Sequence, residues 1–421
     1  MEIVADLHLH SKYSRAVSPQ MIVLEMAKWA KIKGINLLGT GDFTHPLWLS
    51  ELKSCLKEYG QGVFKIKSLQ ADKEAKFLLT AEISSIYSQN GKTRKIHNIL
   101  IAPSFDTVEK INNELKKRGG NLSSDGRPIV GLSAKSIAEL VLSIDKKVFI
   151  IPAHIWTPWF SLFGANSGFN RIEECFGEFG QYIYTVETGL SSDPQMNWRI
   201  KDLDNRSLVS FSDAHSGEKL GREATVFETD RWDFAEIVKA IKSNQRIKYT
   251  IEFYPEEGKY HYSGHRKCGV VFSPQDSLKR GNLCPVCGKK LTPGVMEQVE
   301  KFSGFGQLVG KTSVDKTGVR WIENRNRPPF VKLVPLKEII AESLKTGVGS
   351  KKVDDFYFKL IGGLGNEMEI LLKSEMEKIK KCGGEKLAEG IAKVRRGEIF
   401  ISPGFDGEFG KVKVWGLSLF G

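Results

Sequence analysis

The chain contains eight histidines, and six of them fall within its first 215 residues. His8, His45, His97, His154 and His215 each sit at or near the end of a short apolar run or in the stretch after it, and His10 lies two residues beyond His8. In DLHLHS, side chains that alternate along an extended segment throw Asp6, His8 and His10 to one side. SDAH repeats the device with Asp213 and His215. Carboxylates end neighbouring runs: Asp42 in GTGD, Glu82 in KFLLTAE and Glu187 in YIYTVE. Imidazole nitrogen mixed with carboxylate oxygen is a ligand set for zinc, manganese or iron, and a carboxylate can bridge two ions. Clustered divalent ions suit phosphoester hydrolysis, because they acidify a water and neutralise phosphate charge, so no covalent nucleophile is needed. Glu82 and Asp213 are the central candidates for catalysis. Glu187 and Asp193, in VETGLSSDP, are further candidates as ligands or a general base; the structural alternative for Asp193 is the cap of a helix starting at Pro194.

A second constellation follows. His265-x2-Cys268 is separated by fifteen residues from Cys284-x2-Cys287. Paired ligands two apart on two turns match a tetrahedral structural zinc, with Gly288 easing the second turn. His261 competes with His265, but the two-residue spacing favours His265. Such a closed site folds its module and does no chemistry. The other cysteines, Cys55, Cys175 and Cys382, stand alone and read as small core residues, not as a disulfide framework.

The third feature is basic and aromatic. Residues 311–332 interleave Trp321 and Phe330 with Lys311, Lys316, Arg320, Arg325, Arg327 and Lys332. Cationic side chains meet phosphates while rings stack on or wedge beside bases, so the mixture suits nucleic acid; a solvated linker with one packed tryptophan is the plain alternative. The net charge of +12 is placed accordingly: residues 246–421 hold 31 Lys+Arg against 21 Asp+Glu, whereas residues 1–245 hold 31 against 29. A basic second half facing a polyanion fits this asymmetry.

These residues need elements to hold them. Strands are expected at 2–8, 35–42, 76–84, 95–103, 147–154, 182–189, 207–215 and 224–229, and helices at 19–33, 46–59, 105–118, 133–144 and 233–244, from apolar runs and three- and four-residue spacing respectively. That alternation predicts a mainly parallel sheet closed into a barrel, whose strand ends share one face. The pattern breaks near residue 250 into a turn-rich Cys/His segment, regains helical periodicity over 331–399, and ends in an extended segment or hairpin at 399–416. With 421 residues and 41% hydrophobic composition the chain is neither a single small module nor disordered. No run approaches the roughly 18 apolar residues of a membrane span, and MEIVADLHLH lacks the character of a signal peptide. The expected location is the cytoplasm, in association with the nucleoid.

Over residues 1–245 the motifs HLH at 8–10, GTGD at 39–42, Glu82, His97, IPAH at 151–154 and SDAH at 212–215 resemble the PHP family, the polymerase and histidinol phosphatase domain. The resemblance implies an α/β fold with a distorted (β/α)7 barrel, up to three metal ions and phosphoester hydrolysis. Carried over, His8, His10, Glu82 and Asp213 would hold one ion, Glu82, His97 and His154 a second, and His215 would belong to a third. Where the family has adjacent Asp and His in its second motif, Phe43 follows Asp42 here, so Asp42 and His45 are the candidates to complete the third site.

A PHP-like barrel at 1–248, a zinc-binding module at 249–300 and a basic, mainly helical DNA-binding region at 301–421 together resemble the endonuclease Q family, an archaeal-type group of lesion-specific DNA repair nucleases. That resemblance implies cleavage of the phosphodiester on the 5′ side of uracil, hypoxanthine or xanthine, or of an abasic site. Damaged double- or single-stranded DNA is the implied partner, with replication or repair proteins as further ones and no membrane. Zinc is expected in the module and in the barrel, with magnesium or manganese as alternatives for catalysis. Two competing readings are a small-molecule phosphatase of the histidinol phosphatase kind and a nucleic-acid-binding protein whose barrel is an inactive relic.

Overall fold

The computed structural model describes residues 1–68, 74–304, 306 and 309–416. All eight expected strands form, at Glu2–Asp6, Leu37–Gly39, Lys76–Gln89, Lys92–Ala102, Phe149–Pro152, Thr185–Glu187, Ser207–Val209 and Ala224–Glu228. The first seven close a ring. Glu2–Asp6 pairs in parallel with Leu37–Gly39, which pairs in parallel with Lys76–Gln89. Lys92–Ala102 follows antiparallel, then Phe149–Pro152 antiparallel to it. Ile155 N donates to Glu187 O at 3.2 Å, which brings in Thr185–Glu187 and its parallel partner Ser207–Val209. A parallel bridge between Leu9 and Ala214 returns to the first strand.

The ring is therefore mainly parallel, as expected, with one reversed strand, Lys92–Ala102. The reversal comes at Asn90 and Gly91, which alone separate the paired residues Gln89 and Lys92 and lie at φ of 53° and 71°. Two consecutive residues in the left-handed region make the tight turn that joins antiparallel strands without splaying them, and Asn-Gly is the dipeptide best able to adopt it. The hairpin sets Ser84 opposite His97. A histidine early in its strand thus reaches the same rim as Glu82, two residues before Ser84.

Helices at Val23–Lys33, Phe105–Lys117, Ala134–Ile144 and Phe234–Ile241 pack outside the ring. Three of them begin with a side chain that satisfies their first amide groups: Ser104 accepts from Thr107 N, Ser133 from Ser136 N and Asp233 from Ala235 N and Glu236 N. The helix expected over 46–59 stops at Cys55, because Leu56–Gly60 pairs instead with Val63–Ile66. None of the described helices is long and apolar enough to cross a membrane.

Beyond the ring the sheet continues outward. Ala224–Glu228 pairs antiparallel with the first strand and with Ile247–Glu252, which takes Arg327–Lys332 as a parallel neighbour. Arg320–Asn324 and Lys311–Val314 complete the edge. The stretch 311–332, poor in apolar runs, is thus strand. Five helices, from Leu336–Leu344 to Glu385–Arg396, surround a second core that includes Ile339, Tyr357, Leu360 and Ile391. Phe400–Ser402 and Lys411–Lys413 form the terminal hairpin. The Cys/His segment lies in the crossover between the parallel strands Ile247–Glu252 and Arg327–Lys332.

Candidate metal centre and adjoining cavity

Strand ends on one rim of the ring bring three groups of ligand atoms together: His8, His10 and Glu82; Glu82, His97 and His154; and His10, Asp213 and His215. Within each group the atoms lie within 4.8 Å of one another. Glu82 and His10 each serve two groups, so the three are neighbours sharing ligands. Asp42, His154 and Asp213 adopt φ of 52°, 32° and 48°. Non-glycine residues held in that region mark strain that the surrounding fold sustains, a feature of functional sites.

Each of the two HLH imidazoles is oriented from behind by a carboxylate. His8 Nδ1 lies 2.9 Å from Glu187 Oε1, and His10 Nδ1 lies 3.1 Å from Asp42 Oδ1. The Nε2 atoms then point inward, where His10 Nε2 is 3.4 Å from Glu82 Oε2 and 3.1 Å from Asp213 Oδ1. Carboxylate, then imidazole, then ion is the arrangement that fixes a ligand's tautomer and raises its basicity. Asp42 accepts also from Ser11 and Ser14, so it orients His10, and it belongs to none of the three groups. Glu82 Oε1 lies 2.5 Å from His97 Nδ1 and 3.2 Å from His154 Nε2.

The donor set fits cations. His8 Nε2, His10 Nε2 and Asp213 Oδ1 are buried and, among the described residues, have no hydrogen-bond partner of acceptable geometry, an expensive condition for polar atoms unless something charged meets them. Burial disfavours charge on His8 and His10, yet Glu187, Glu82, Asp213 and Asp42 outweigh it and hold both imidazoles well above their ordinary range. Burial likewise opposes ionised Glu82, but the imidazoles of His97, His8, His10 and His154 hold it well below the usual carboxylate range. The pocket thus favours positive charge beside its acids, the condition a metal ion satisfies. His97 differs: burial pushes its imidazole down to about 4, which leaves it neutral and able to donate a lone pair.

Two of the sequence candidates take other places. His45 belongs to none of the three groups; its ring stacks on Tyr13 with centroids 4.4 Å apart, and its Nδ1 has no partner among the described residues. The third group is completed by His10 instead, because Pro46 starts a helix directly after His45 and carries it aside. Asp193 caps the helix Pro194–Asn197 through Met196 N at 2.8 Å and pairs with Lys332 Nζ at 2.7 Å, the structural role that the sequence left open.

A cavity of about 360 Å³ opens beside the centre. His97, His154 and Asp213 line it on the metal side, and Trp159, Phe160 and Tyr260 line it elsewhere. Trp159 and Tyr260 meet edge to face at 5.5 Å. Sequence reasoning missed these aromatics; their only signal was position, since Trp159 and Phe160 follow His154 within one loop.

The whole fold has counterparts. A crystal structure of the lesion-specific endonuclease PfuEndoQ from Pyrococcus furiosus superposes with a TM-score of 0.82 at 32% identity, covering 98% of this chain and 95% of that one. A structure of Endonuclease Q in complex with a 27-mer duplex substrate, an abasic lesion at its active site, gives 0.83 at 32% identity over 100% and 99%. The chain belongs to the endonuclease Q family. Family models described as PHP-associated and as the MJ0043 C-terminal domain match residues 209–245 and 335–398. An uncharacterised protein of Bacillus subtilis (strain 168), YqxK, is 28% identical over 98% of this chain and 99% of its own length. The uncharacterised MJ0043 of Methanocaldococcus jannaschii is 35% identical over 61% of this chain; the chain spans only 31% of that relative's length.

Within this endonuclease Q fold the Cys/His module brings His265, Cys268, Cys284 and Cys287 to within 4.8 Å of one another. Gly288 N donates to Cys284 O at 2.8 Å, closing the second turn. Burial opposes the Cys284 thiolate, but the N–H groups of Cys287 and Val286 and the His265 side chain bring its thiol down to about 6. His261 lines the cavity instead. The basic strands are less uniform than their composition. Lys311, Lys316, Arg320 and Arg325 are exposed. Arg327 is committed to the carbonyls of Leu203, Asp204 and Arg206. Phe330 is fully buried against Trp198 at 5.5 Å, and Trp321 donates to Asp315 and packs on Tyr249. Side chains alternate along a strand, and both rings fall on faces that the protein covers.

Proposed function

We propose that this protein is a metal-dependent DNA endonuclease that hydrolyses the phosphodiester on the 5′ side of a deaminated base or an abasic site. The observation that carries this reading is the cavity of about 360 Å³ that shares His97, His154 and Asp213 with the ligand groups, so that a base and its phosphate can be held at one place. Ions at the three ligand groups would make a water acidic enough to attack near neutral pH and would neutralise charge on the phosphate and the leaving oxygen. Imidazole-rich donor sets favour zinc over magnesium, with manganese suited to the carboxylates among them.

The protein's own part is orientation and selection. A recessed centre is reached only by a nucleotide turned out of the duplex, which costs a few kcal/mol and least for a damaged or missing base. Trp159, Phe160 and Tyr260 supply stacking surface for such a base, replacing Trp321 and Phe330 in that role. Uracil and hypoxanthine both present a carbonyl beside a ring N–H, so one acceptor and one donor on the backbone suffice to accept both and to reject cytosine and adenine. Exposed Lys311, Lys316, Arg320 and Arg325 hold the duplex backbone.

The test uses end-labelled duplexes carrying one deoxyuridine, deoxyinosine or abasic site, with zinc, manganese or magnesium. A single nick 5′ of the lesion is expected, with none in undamaged DNA. Release of phosphate from monoesters without nicking would make the protein a phosphatase, and binding without cleavage an inactive relic.

A further inference from the structure

Arg127 was not among the residues that sequence spacing singled out, yet it is built into the centre. Its Nη1 donates to Glu82 Oε2 at 3.2 Å. Among the described residues it is the one guanidinium bonded to a carboxylate of the ligand groups. Its backbone is clamped to the scaffold that aims His10: Gly126 N donates to Tyr13 O at 3.0 Å, Thr44 Oγ1 donates to Gly126 O at 3.1 Å, and Arg127 N donates to Asp125 Oδ1 at 3.0 Å. A Cβ on Gly126 would fall 2.2 Å from Asp42 Oδ2 and 2.4 Å from Ser14 Oγ, so a glycine alone lets the turn approach the carboxylate behind His10.

The side chain reaches from this anchor to a boundary. It is 25% exposed, whereas the Glu82 side chain it touches is 1% exposed. The other N–H groups of the guanidinium have no hydrogen-bond partner among the described residues. A cation with spare donors, anchored at its backbone and open to solvent beside a carboxylate shared by two ligand groups, is placed to receive an anion. A guanidinium offers paired parallel donors that match two oxygens of a phosphate, which an ammonium cannot.

We propose that Arg127 is a substrate-binding residue whose guanidinium takes the non-bridging oxygens of the phosphate that is hydrolysed. This rests on the reading of the centre as a phosphodiesterase. It adds a protein cation that orients the phosphate and meets the charge that builds up on it during attack, a contribution that for a single preorganised donor is worth about 10²- to 10³-fold in rate.

The experiment compares wild type, Arg127→Ala and Arg127→Lys, each loaded with the metal that supports nicking. Inorganic phosphate is the probe, its binding is measured by titration calorimetry, and metal content is read by elemental analysis. Arg127→Ala is expected to bind phosphate at least about tenfold more weakly with its metal content unchanged, and Arg127→Lys to fall between. Single-turnover nicking of an abasic duplex should drop by about 10²- to 10³-fold in Arg127→Ala and recover in part when guanidinium ion is added. Phosphate binding equal to wild type would overturn the proposal. So would loss of the ions with the side chain, which would make Arg127 a structural counter-charge for Glu82, and so would a wild type that binds no phosphate. A wild type that binds phosphate through Arg127 but nicks no damaged duplex would keep the residue's role and remove the lesion-nuclease reading.

Discussion

The ring and the Cys/His module both gather histidine with softer or harder anionic ligands, yet they are built in opposite ways. In the ring, His8, His10 and Glu82 are at most 2% exposed, the two imidazoles are backed by further carboxylates, and all three stand on an extensive core. In the module, the cluster beside the cysteines is Phe272, Cys284 and Leu291, with Cys268 and Val270 packed against it, while Val295 and Val299 join the core of the ring. Cys287 is exposed, and among the described residues His265 Nδ1 meets Cys287 Sγ at 3.4 Å and no carboxylate orients it. The difference teaches where binding energy goes. A centre on a large core would be able to hold ions at the mouth of a cavity and leave them reactive, whereas a module with so small a cluster around its cysteines would spend any ion it bound on folding.

The sharpest way to break this comparison is at the acids of the ligand groups. Glu82→Ala and Asp213→Ala should each lower nicking by about 10³-fold or more, since each removes a ligand from a centre that does the chemistry. Far-UV circular dichroism and Tm should stay close to wild type; unfolding would show that the ring, too, depends on its ions. Next in size, Cys284→Ser should cost the module its fold. One metal equivalent should be lost and limited proteolysis should open within 261–300, while any residual nick falls at the same phosphate. Normal metal content would remove the four-ligand assignment.

Glu187→Gln probes the layer behind His8. It should cost about 10- to 100-fold in metal affinity or rate, the usual penalty for an outer partner of a ligating histidine, with the nick site unchanged. The smallest effect is expected farther back, at Glu252. Burial pushes its carboxyl up to about 8, against the hydrogen bonds of Ser210 and Thr250. The folded state therefore keeps a proton that the unfolded chain has released, so this contribution to stability is full below the ordinary glutamate range and is lost as pH rises through about 8. Glu252→Gln should remove that loss, raising Tm relative to wild type by on the order of 1–3 °C at pH 9, by less at pH 6 and not at all near pH 4.

Much of the centre could be seen in the sequence because ligand chemistry is carried by a few residue types at strand ends. Asp6, His8 and His10 at a spacing of two, and Cys284-x2-Cys287, are local patterns that need no knowledge of the fold. Asp42 and His45 were harder, since a carboxylate that orients a ligand and one that binds an ion look alike until both of its oxygens are traced. Arg127 and Trp159 lie in loops whose position depends on tertiary contacts at Gly126 and around His154, and no periodicity announces those. The antiparallel course of Lys92–Ala102 was legible in Asn90-Gly91 but is outweighed, in a pattern of alternating runs, by the expectation of crossovers. The burial of Phe330 was invisible because its strand is covered by Trp198, more than a hundred residues away in sequence.

The parallel pairing of Thr250 with Phe330, Ile251 with Val331 and Glu252 with Lys332 has a consequence for how the molecule can come apart. The polypeptide leaves the ring side at one end of this ladder and re-enters beside itself only after the whole Cys/His module. A protease that cut anywhere in the crossover would sever the covalent chain without separating the two fragments, because the ladder and the cores on either side would still hold them. The module is in effect a detour whose two ends are already fastened. Any local unfolding of the cysteine turns could therefore proceed while the ring and the C-terminal helices keep their registry.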